Sequence, residues 1–224
     1  MTPMASRRQA DKYWFSVEGE TEKWYLEWLR DVVNADPRAT RKVTFDVKVE
    51  KNPLKRAKSL NVVGKAEVWH VFDLEDESEL HVRQTQDTLK RMRDAGKLGR
   101  GVKYMNAYSN FTFELWILLH KLDMRAPLNH RTGYLRLVNR EFGESYQDLD
   151  EYKHEGNFKR ALGQLTIDDV VAAVARAKRI AEANEADGHR FAEHCTYRYC
   201  LDNPATDLWI AVEKVLKGAG IIGK

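Results

Sequence analysis

The fold of the chain is decided by the stretch Tyr13-Trp-Phe-Ser-Val-Glu-Gly-Glu-Thr-Glu22. Its first half, Tyr13 to Val17, has the apolar character of a short buried strand. After the end of the stretch at Glu22, apolar side chains recur at helical spacing. A strand that ends in a glycine turn and leads into a helix is the unit of an open α/β sheet, whose ligands bind at the carboxyl ends of the strands. Three carboxylates surround this turn: Glu18, Glu20 and Glu22.

The turn itself indicates which kind of ligand to expect. Gly19 can take backbone angles that are closed to other residues, and it lets a ligand approach the main chain closely. The turn has neither the repeated glycines nor the lysine of a phosphate-binding loop. Cations, rather than phosphates, are therefore the expected ligands of the turn. Because the chain has no nucleotide-binding loop of its own, any dependence of its function on ATP would have to come from another protein.

Strands and helices alternate through the first half of the chain. After the opening strand and helix, strands are expected at 43–50, 67–73 and 102–108, and helices at 54–62, 78–95 and 110–120. This alternation predicts an α/β fold with a mainly parallel sheet flanked by helices. Beyond Pro127 only helical patterns remain, separated by an acidic loop from Glu144 to Glu155. We therefore expect an α/β core in residues 1–125 and a mainly helical extension, packed on the core, in residues 126–224.

The amino-acid composition indicates which class of protein the chain belongs to. Charged residues make up 32% of the 224 residues and hydrophobic residues 43%, which is typical of a soluble globular protein. No apolar run is long enough to cross a membrane, and two cysteines favour a reducing cytoplasm over a disulfide-linked scaffold. The net charge is only +3, but basic residues concentrate in 38–58 and 83–103. These segments are either a phosphate-facing surface or ordinary solvated helix faces.

Carboxylates follow two of the expected strands. Glu18 follows the first, and Asp73 ends a later one, directly before Glu75, Asp76 and Glu77. If the two strands are neighbours, their acids converge at one edge of the sheet and repel each other unless a proton or a divalent cation neutralises them. Oxygen-only ligands suit Mg²⁺ or Mn²⁺. Acids are also common at helix N-termini, but that preference explains Glu18 and Asp73 poorly because both lie at strand ends.

The segment from Ser109 to His120 contains a further acid in an apolar setting. We expect Asn110 to cap a helix in which Glu114 is surrounded by apolar residues. A carboxylate there is costly unless it is paired, protonated or bound to metal. The alternatives are that Glu114 faces a narrow solvent stripe or holds an arginine. His70 is expected in the core, and the spacing of the late histidines and cysteines is unlike that of zinc sites.

Three motifs, taken in order, resemble the RloB family. They are Val17-Glu-Gly-Glu-Thr-Glu22, Val71-Phe-Asp-Leu-Glu75 and Ser109-Asn-Phe-Thr-Phe-Glu-Leu-Trp-Ile-Leu-Leu-His120. Asn203-Pro-Ala-Thr206 is similar to that family's closing motif, although a turn with Thr206 as helix cap would explain it too. The resemblance spans about residues 12 to 217 and implies a Toprim-like core, as in topoisomerases, primases and OLD-type nucleases.

The resemblance also implies roles for individual residues. Glu18 and Asp73 stand where that group has its metal-dependent acids, and Glu75 stands where a second Asp is expected, so either Glu75 or Asp76 is the next ligand. Glu22 matches the second acid of the OLD-type first motif. Asn110 and Glu114 match the family signature, which suggests that they support the metal site. The predicted metal ligands are Glu18, Glu22, Asp73 and Glu75, and the predicted catalytic residues are Glu18, Asp73 and Glu114.

The expected function follows from this resemblance. RloB-like proteins are associated with antiphage abortive infection, typically beside an ATPase of the AAA or ABC type. The chain is therefore expected to be a cytoplasmic Mg²⁺- or Mn²⁺-dependent endonuclease that acts on RNA, such as tRNA, or on DNA, with no membrane role. Whether it forms a homo-oligomer stays open. The alternative is a non-catalytic module that keeps the Toprim scaffold to bind an ATPase or a phage component.

Overall fold

A computed structural model describes residues 10–223, and a mainly parallel sheet lies at its centre. Four strands run in parallel: β1 (Ala10–Val17), β2 (Lys42–Val49), β3 (Ala66–Asp73) and β4 (Val102–Asn110). β1 lies between β2 and β3, so that Val17 is opposite both Val49 and Val71. The ends of β1 and β3 are therefore neighbours, and the predicted α/β class with a mainly parallel sheet is confirmed.

Helices cover both faces of this sheet. They are α1 (Glu20–Ala35), α2 (Pro53–Ser59), α3 (Glu79–Gly96), α4 (Glu114–Leu119), α5 (Gly133–Phe142), α6 (Leu149–Tyr152), α7 (Glu155–Leu162), α8 (Ile167–Ala186) and α9 (Leu208–Ala219). Alternate side chains of β3 enter different cores, as a pleated strand requires. Trp69 and Val71 pack with α1 and the later helices, whereas Val68 and Phe72 pack with α2 and α3. Within residues 10–223, no helix is both long and apolar enough to span a bilayer.

Three short strands lie in the C-terminal part, where only helices were expected. β5 (Phe191–His194) and β6 (Tyr197–Cys200) form an antiparallel hairpin that packs beside α3 and β4. β7 (Ala205–Thr206) joins the sheet antiparallel to β4, giving the order β2-β1-β3-β4-β7. These strands are too short to show a period of two residues in the sequence.

Two expected helix starts are wrong. Asn110 is the last residue of β4 and caps no helix, and α4 begins only at Glu114. The Asn110 side-chain amide instead donates to Leu201 O at 2.8 Å and thereby ties β4 to the residue after β6. Thr206 belongs to β7, where its hydroxyl donates to Tyr108 O, and α9 begins two residues later. The Asn110 side chain is thus taken by a tertiary partner, whereas the Thr206 hydroxyl donates to a tertiary partner and still accepts from Leu208 N, at 3.3 Å, at the start of α9.

The acidic stretch between Glu144 and Glu155 is more ordered than the expected loop. It contains α6 and the first residue of α7, and the Tyr152 side chain is fully buried. This burial places the residue after α6, Lys153, beside the interior of the protein.

Candidate functional site

Glu18 and Asp73 lie at the adjacent ends of β1 and β3. Val17 pairs with Val71, so Glu18 follows β1 at the level where β3 is about to end at Asp73. Burial raises the pKa of Glu18 to about 7, with Glu22 acting in the same direction and Lys51 opposing it. Glu18 therefore holds its proton up to neutral pH, which is the range in which a carboxyl can donate or accept protons during catalysis.

Gly19 provides space for a neighbouring carboxylate. Its φ of −139° is extended backbone that any residue can adopt, so the turn does not use the angles that only glycine can take. A Cβ atom at this position would lie 2.8 Å from Glu22 Oε2. Glu22 is 6% exposed and accepts a hydrogen bond of 3.0 Å from Thr21 Oγ1. In contrast, Glu20 is exposed and pairs with Lys23 at 3.0 Å.

Glu114 is fully buried beneath the same edge of the sheet. Its Oε2 accepts a hydrogen bond from Thr112 Oγ1, and its Oε1 lies 3.2 Å from Lys153 Nζ. The ammonium of Lys153 is thus the charged partner of this buried carboxylate. Of the two alternatives for Glu114, the solvent stripe is excluded because the residue faces no solvent, and the basic partner is present as a lysine instead of an arginine.

The four carboxylates Glu18, Glu22, Asp73 and Glu114, called the acidic cluster below, act on one another. Burial raises the pKa of Asp73, and the charges of Glu22 and Glu114 raise it further. Burial is also the main cause of the raised pKa of Glu22. Lys153 opposes the shift at both residues. One ammonium group thus faces several carboxylates, and the cluster has a deficit of positive charge.

Glu75 and Asp76 are oriented by one histidine. His81 Nε2 lies 2.8 Å from Glu75 Oε2, and His81 Nδ1 lies 2.6 Å from Asp76 Oδ1. Hydrogen bonds from Ser78 at the start of α3 are the main cause that holds the pKa of Asp76 below its usual range. Asp76 is therefore engaged at a helix terminus and exposed. The Glu75 carboxylate also lies 3.9 Å from Arg131 Nη1, and its charge adds to the raised pKa of Glu18.

A polar cavity of about 390 Å³, called the acidic cleft below, opens at these strand ends. Glu18, Asp73 and Glu75 line it, and Glu22 and Glu114 do not. Lys51 and Arg91 also line it, one from each of the two basic segments of the sequence. Both are exposed and neither forms an ion pair within residues 10–223, so their charges are available to an anion.

Comparison with protein families assigns the chain to one family. The family model described as RloB-like protein matches residues 14–215, which is most of the chain. The chain belongs to the RloB-like family. No curated protein and no solved structure matches it. The matched span of this RloB-like chain includes both acidic strand ends, Glu114 and both basic segments.

The donor chemistry of the RloB-like site suits a divalent metal, although its arrangement is not that of a preformed site. Within residues 10–223, no three His, Cys, Asp or Glu side chains are grouped closely enough to hold an ion. Carboxylate oxygens are nevertheless the donors that Mg²⁺ and Mn²⁺ prefer. Burial and the neighbouring carboxylates raise the pKa values of Glu18 and Asp73, so added positive charge would stabilise the ionised form of these two acids.

Several residues of the site were not found from the sequence. Lys51 and Arg91 lie in basic segments that the sequence does reveal, but spacing alone cannot single them out. The one signal for Lys153 is that it is the only Lys or Arg in the acidic stretch between Glu144 and Glu155. His81 lies on α3 without any motif around it. Asn110 was assigned to support of the metal site, and the structure places it in a neighbouring cavity.

Proposed function

We propose that the chain is a Mg²⁺- or Mn²⁺-dependent nuclease that hydrolyses phosphodiester bonds in the acidic cleft. The observation that carries the proposal is the cleft itself, which combines Glu18, Asp73 and Glu75 with the unpaired cations Lys51 and Arg91. Carboxylates alone would repel a nucleic acid, and cations alone would merely bind one. Their combination suits a substrate that carries phosphate, together with a divalent metal that the carboxylates would hold.

Each side chain has a role in this proposal. Glu18, Asp73 and Glu75 would hold the metal, and Glu22 would complete the set after a small rearrangement. A bound divalent cation would supply a polarised water and would stabilise the negative charge that develops on the phosphate oxygens. Lys51 and Arg91 bind and orient the substrate phosphates. Glu114, paired with Lys153, positions the cluster from beneath.

The biological setting is part of the same proposal. The family resemblance supports a role in antiphage abortive infection, in the cytoplasm, together with an ATPase partner encoded nearby. The chain carries no phosphate-binding loop of its own, which is consistent with ATP being used by such a partner. The test is toxicity and phage protection in cells that express the chain with and without the neighbouring ATPase. The absence of phage protection both with and without the ATPase would contradict this role, whereas protection that persists after loss of the acids would contradict catalysis in the acidic cleft.

The nuclease proposal is tested directly by cleavage assays. RNA panels that include tRNA, and DNA panels, are incubated with Mg²⁺ or Mn²⁺, with and without the ATPase. We expect Glu18→Gln and Asp73→Asn to lower cleavage by about 100-fold or more, the range typical of lost acid–base or ligand groups. Glu20→Gln is the matched control, because Glu20 is exposed and paired with Lys23. Full cleavage and toxicity in both variants would exclude the acidic cleft as the site of hydrolysis, and the absence of cleavage by the wild type under all these conditions would exclude the nuclease.

A non-catalytic function is the second candidate, and one observation favours it. Lys153 already supplies positive charge beside Glu114, and the described residues contain no preformed group of three metal ligands. A scaffold that binds an ATPase or phage component would need no metal. Calorimetry of the metal-free protein with Mn²⁺ separates the two candidates. Binding that is lost in Asp73→Asn favours the nuclease, and no binding at millimolar Mn²⁺ favours the scaffold.

A further inference from the structure

A second cavity, called the aromatic cavity below, adjoins the acidic cleft. It has a volume of about 210 Å³ and shares the residues Leu74, Glu75 and Thr85 with the cleft. Pockets that enclose whole drug-sized ligands measure roughly 300–1,000 Å³. The aromatic cavity is thus sized for a fragment of a larger substrate whose remainder lies in the acidic cleft.

The lining of the aromatic cavity combines aromatic rings with amides. Phe111 and Tyr199 contribute the rings, Val82 an apolar wall, and Gln86 and Asn110 the amides. Asn110 is 3% exposed, and its Nδ2 donates to Leu201 O and Cys200 O. Its Oδ1 accepts no hydrogen bond from the described residues and is not sealed from the cavity. The cavity therefore offers flat apolar surfaces and a fixed acceptor, which together suit a planar group with N–H donors.

Charge separates the two cavities. The rim of the aromatic cavity carries Glu75, Asp76 and Glu77, and each of these acids already has a cationic or imidazole partner. His81 contacts Glu75 and Asp76. Arg131 lies 3.9 Å from Glu75, and Arg190 forms two hydrogen bonds with Glu77. Lys51 and Arg91 line only the acidic cleft and form no ion pair within residues 10–223, so a phosphate binds more favourably there than at the rim. The part of a nucleotide that fits the aromatic cavity is then its neutral base, with the adjoining phosphate held at Lys51 and Arg91.

We infer that the aromatic cavity binds one unpaired nucleobase of a single-stranded nucleic acid, next to the phosphate that lies in the acidic cleft. This inference rests on the proposed function for the phosphate, but the base contact stands on the cavity alone. A base inside a duplex cannot enter without leaving its stack, so unpaired nucleotides are selected over paired ones. Because RNA and DNA have bases in common and are distinguished by their sugar, binding of a base alone does not select one of the two nucleic acids.

Fluorescence titration of the full chain tests the inference without any cleavage. The probes are single-stranded tetranucleotides, one DNA and one RNA, that carry 2-aminopurine between pyrimidines, and the buffer contains EDTA. Stacking of the probe base on Phe111 or Tyr199 quenches its emission. We expect Val82→Phe, which fills the cavity, and Phe111→Leu, which removes a ring, each to weaken binding by about ten-fold. Val63→Phe is the matched control, since Val63 is fully exposed and outside the cavity.

The outcomes separate this inference from the nuclease proposal. Quenching by the wild type that is weakened in Val82→Phe and Phe111→Leu, kept in Val63→Phe and absent with a duplex probe supports the base pocket. The absence of quenching, or equal quenching in all variants, overturns it. Cleavage that depends on Glu18 and Asp73 would in that case leave the nuclease standing. Conversely, quenching with no cleavage would leave the base pocket in a binding module. The DNA and RNA probes show which strand is preferred.

Discussion

Lys153 Nζ lies 3.2 Å from Glu114 Oε1 and is the cation that opposes the raised pKa values of Glu22 and Asp73. Glu114 is fully buried, whereas the Lys153 side chain is 37% exposed. The residue after a short helix in the C-terminal part thus neutralises an acid beneath the end of the sheet. This contact makes the helical part a component of the candidate site rather than a separate covering.

Lys153→Met should destabilise the protein, because it leaves the Glu114 carboxylate buried without a counter-charge. Breaking a fully buried pair costs roughly 3–5 kcal/mol. Lys153 stays partly in solvent, so we expect a loss of about 2 kcal/mol in the free energy of unfolding, measured by urea titration at pH 8. Lys23→Met, which breaks an exposed pair with Glu20, is the control and should cost less than about 1 kcal/mol.

A double variant shows whether the loss of stability in Lys153→Met comes from the unpaired charge of Glu114. Adding Glu114→Gln to Lys153→Met removes the unpaired charge and should recover most of the lost stability, since a neutral amide can still accept from Thr112 Oγ1. Equal losses in Lys153→Met and Lys23→Met would show that the buried ion pair contributes nothing. A loss that Glu114→Gln does not recover would point to packing of the lysine stem instead.

Mn²⁺ should raise the unfolding temperature of the wild type by binding to the folded state alone. Asp73→Asn should abolish the rise, and Glu20→Gln should leave it unchanged because Glu20 is exposed and outside the cleft. Lys153→Met should increase the rise at a given Mn²⁺ concentration, since the competing ammonium is gone. The measurement is differential scanning fluorimetry across a Mn²⁺ series. The same rise in wild type and Asp73→Asn would exclude the acidic cluster as the metal site.

Glu18→Gln should stabilise the protein at pH 8 and have little effect at pH 4.5. Burial raises the pKa of Glu18 to about 7, above its unfolded value of about 4.5, so the folded state holds the proton more tightly. Stability from this group is present at low pH and is lost as the pH rises through 7. At pH 8 the ionised carboxylate costs on the order of 1–3 kcal/mol, which an amide avoids. Urea unfolding at the two pH values checks this, and equal effects at both would contradict it.

The sequence predicts those parts of the fold that depend on local pattern. Apolar runs such as Tyr13–Val17 and Glu67–Asp73 are long enough to identify strands, and the order of strands and helices implies the parallel sheet. Asn110 and Thr206 show where such inference fails. Both residues have the side chains of helix caps, but each finds a partner about 90 residues or more away in sequence. A local preference of about 1 kcal/mol yields to a tertiary contact of that kind.

The residues of the candidate site also fall into those that the sequence reveals and those that only the structure reveals. Glu18 and Asp73 are recognisable because an acid at a strand end is unusual, and Glu114 because it interrupts an apolar helix. Lys153 has no comparable signal, because its role arises only when α6 packs beneath the sheet edge. Contacts of this sort depend on how the C-terminal helices are placed, which periodicity does not encode.

Gly19→Ala should destabilise the protein through Glu22. The backbone at Gly19 suits alanine, but the added Cβ would lie 2.8 Å from Glu22 Oε2, so the buried carboxylate has to move. We expect a double-mutant cycle with Glu22→Ala to give a coupling energy of about 1 kcal/mol in urea unfolding at pH 7. The loss of a glycine cap, a few tenths of a kcal/mol, remains in both backgrounds. Gly156→Ala is the control: its Cβ meets nothing within 4 Å on α7, and it should stabilise by roughly 0.5–1 kcal/mol. Coupling near zero would mean that Glu22 adapts without cost, and glycine would then not be needed to seat this carboxylate.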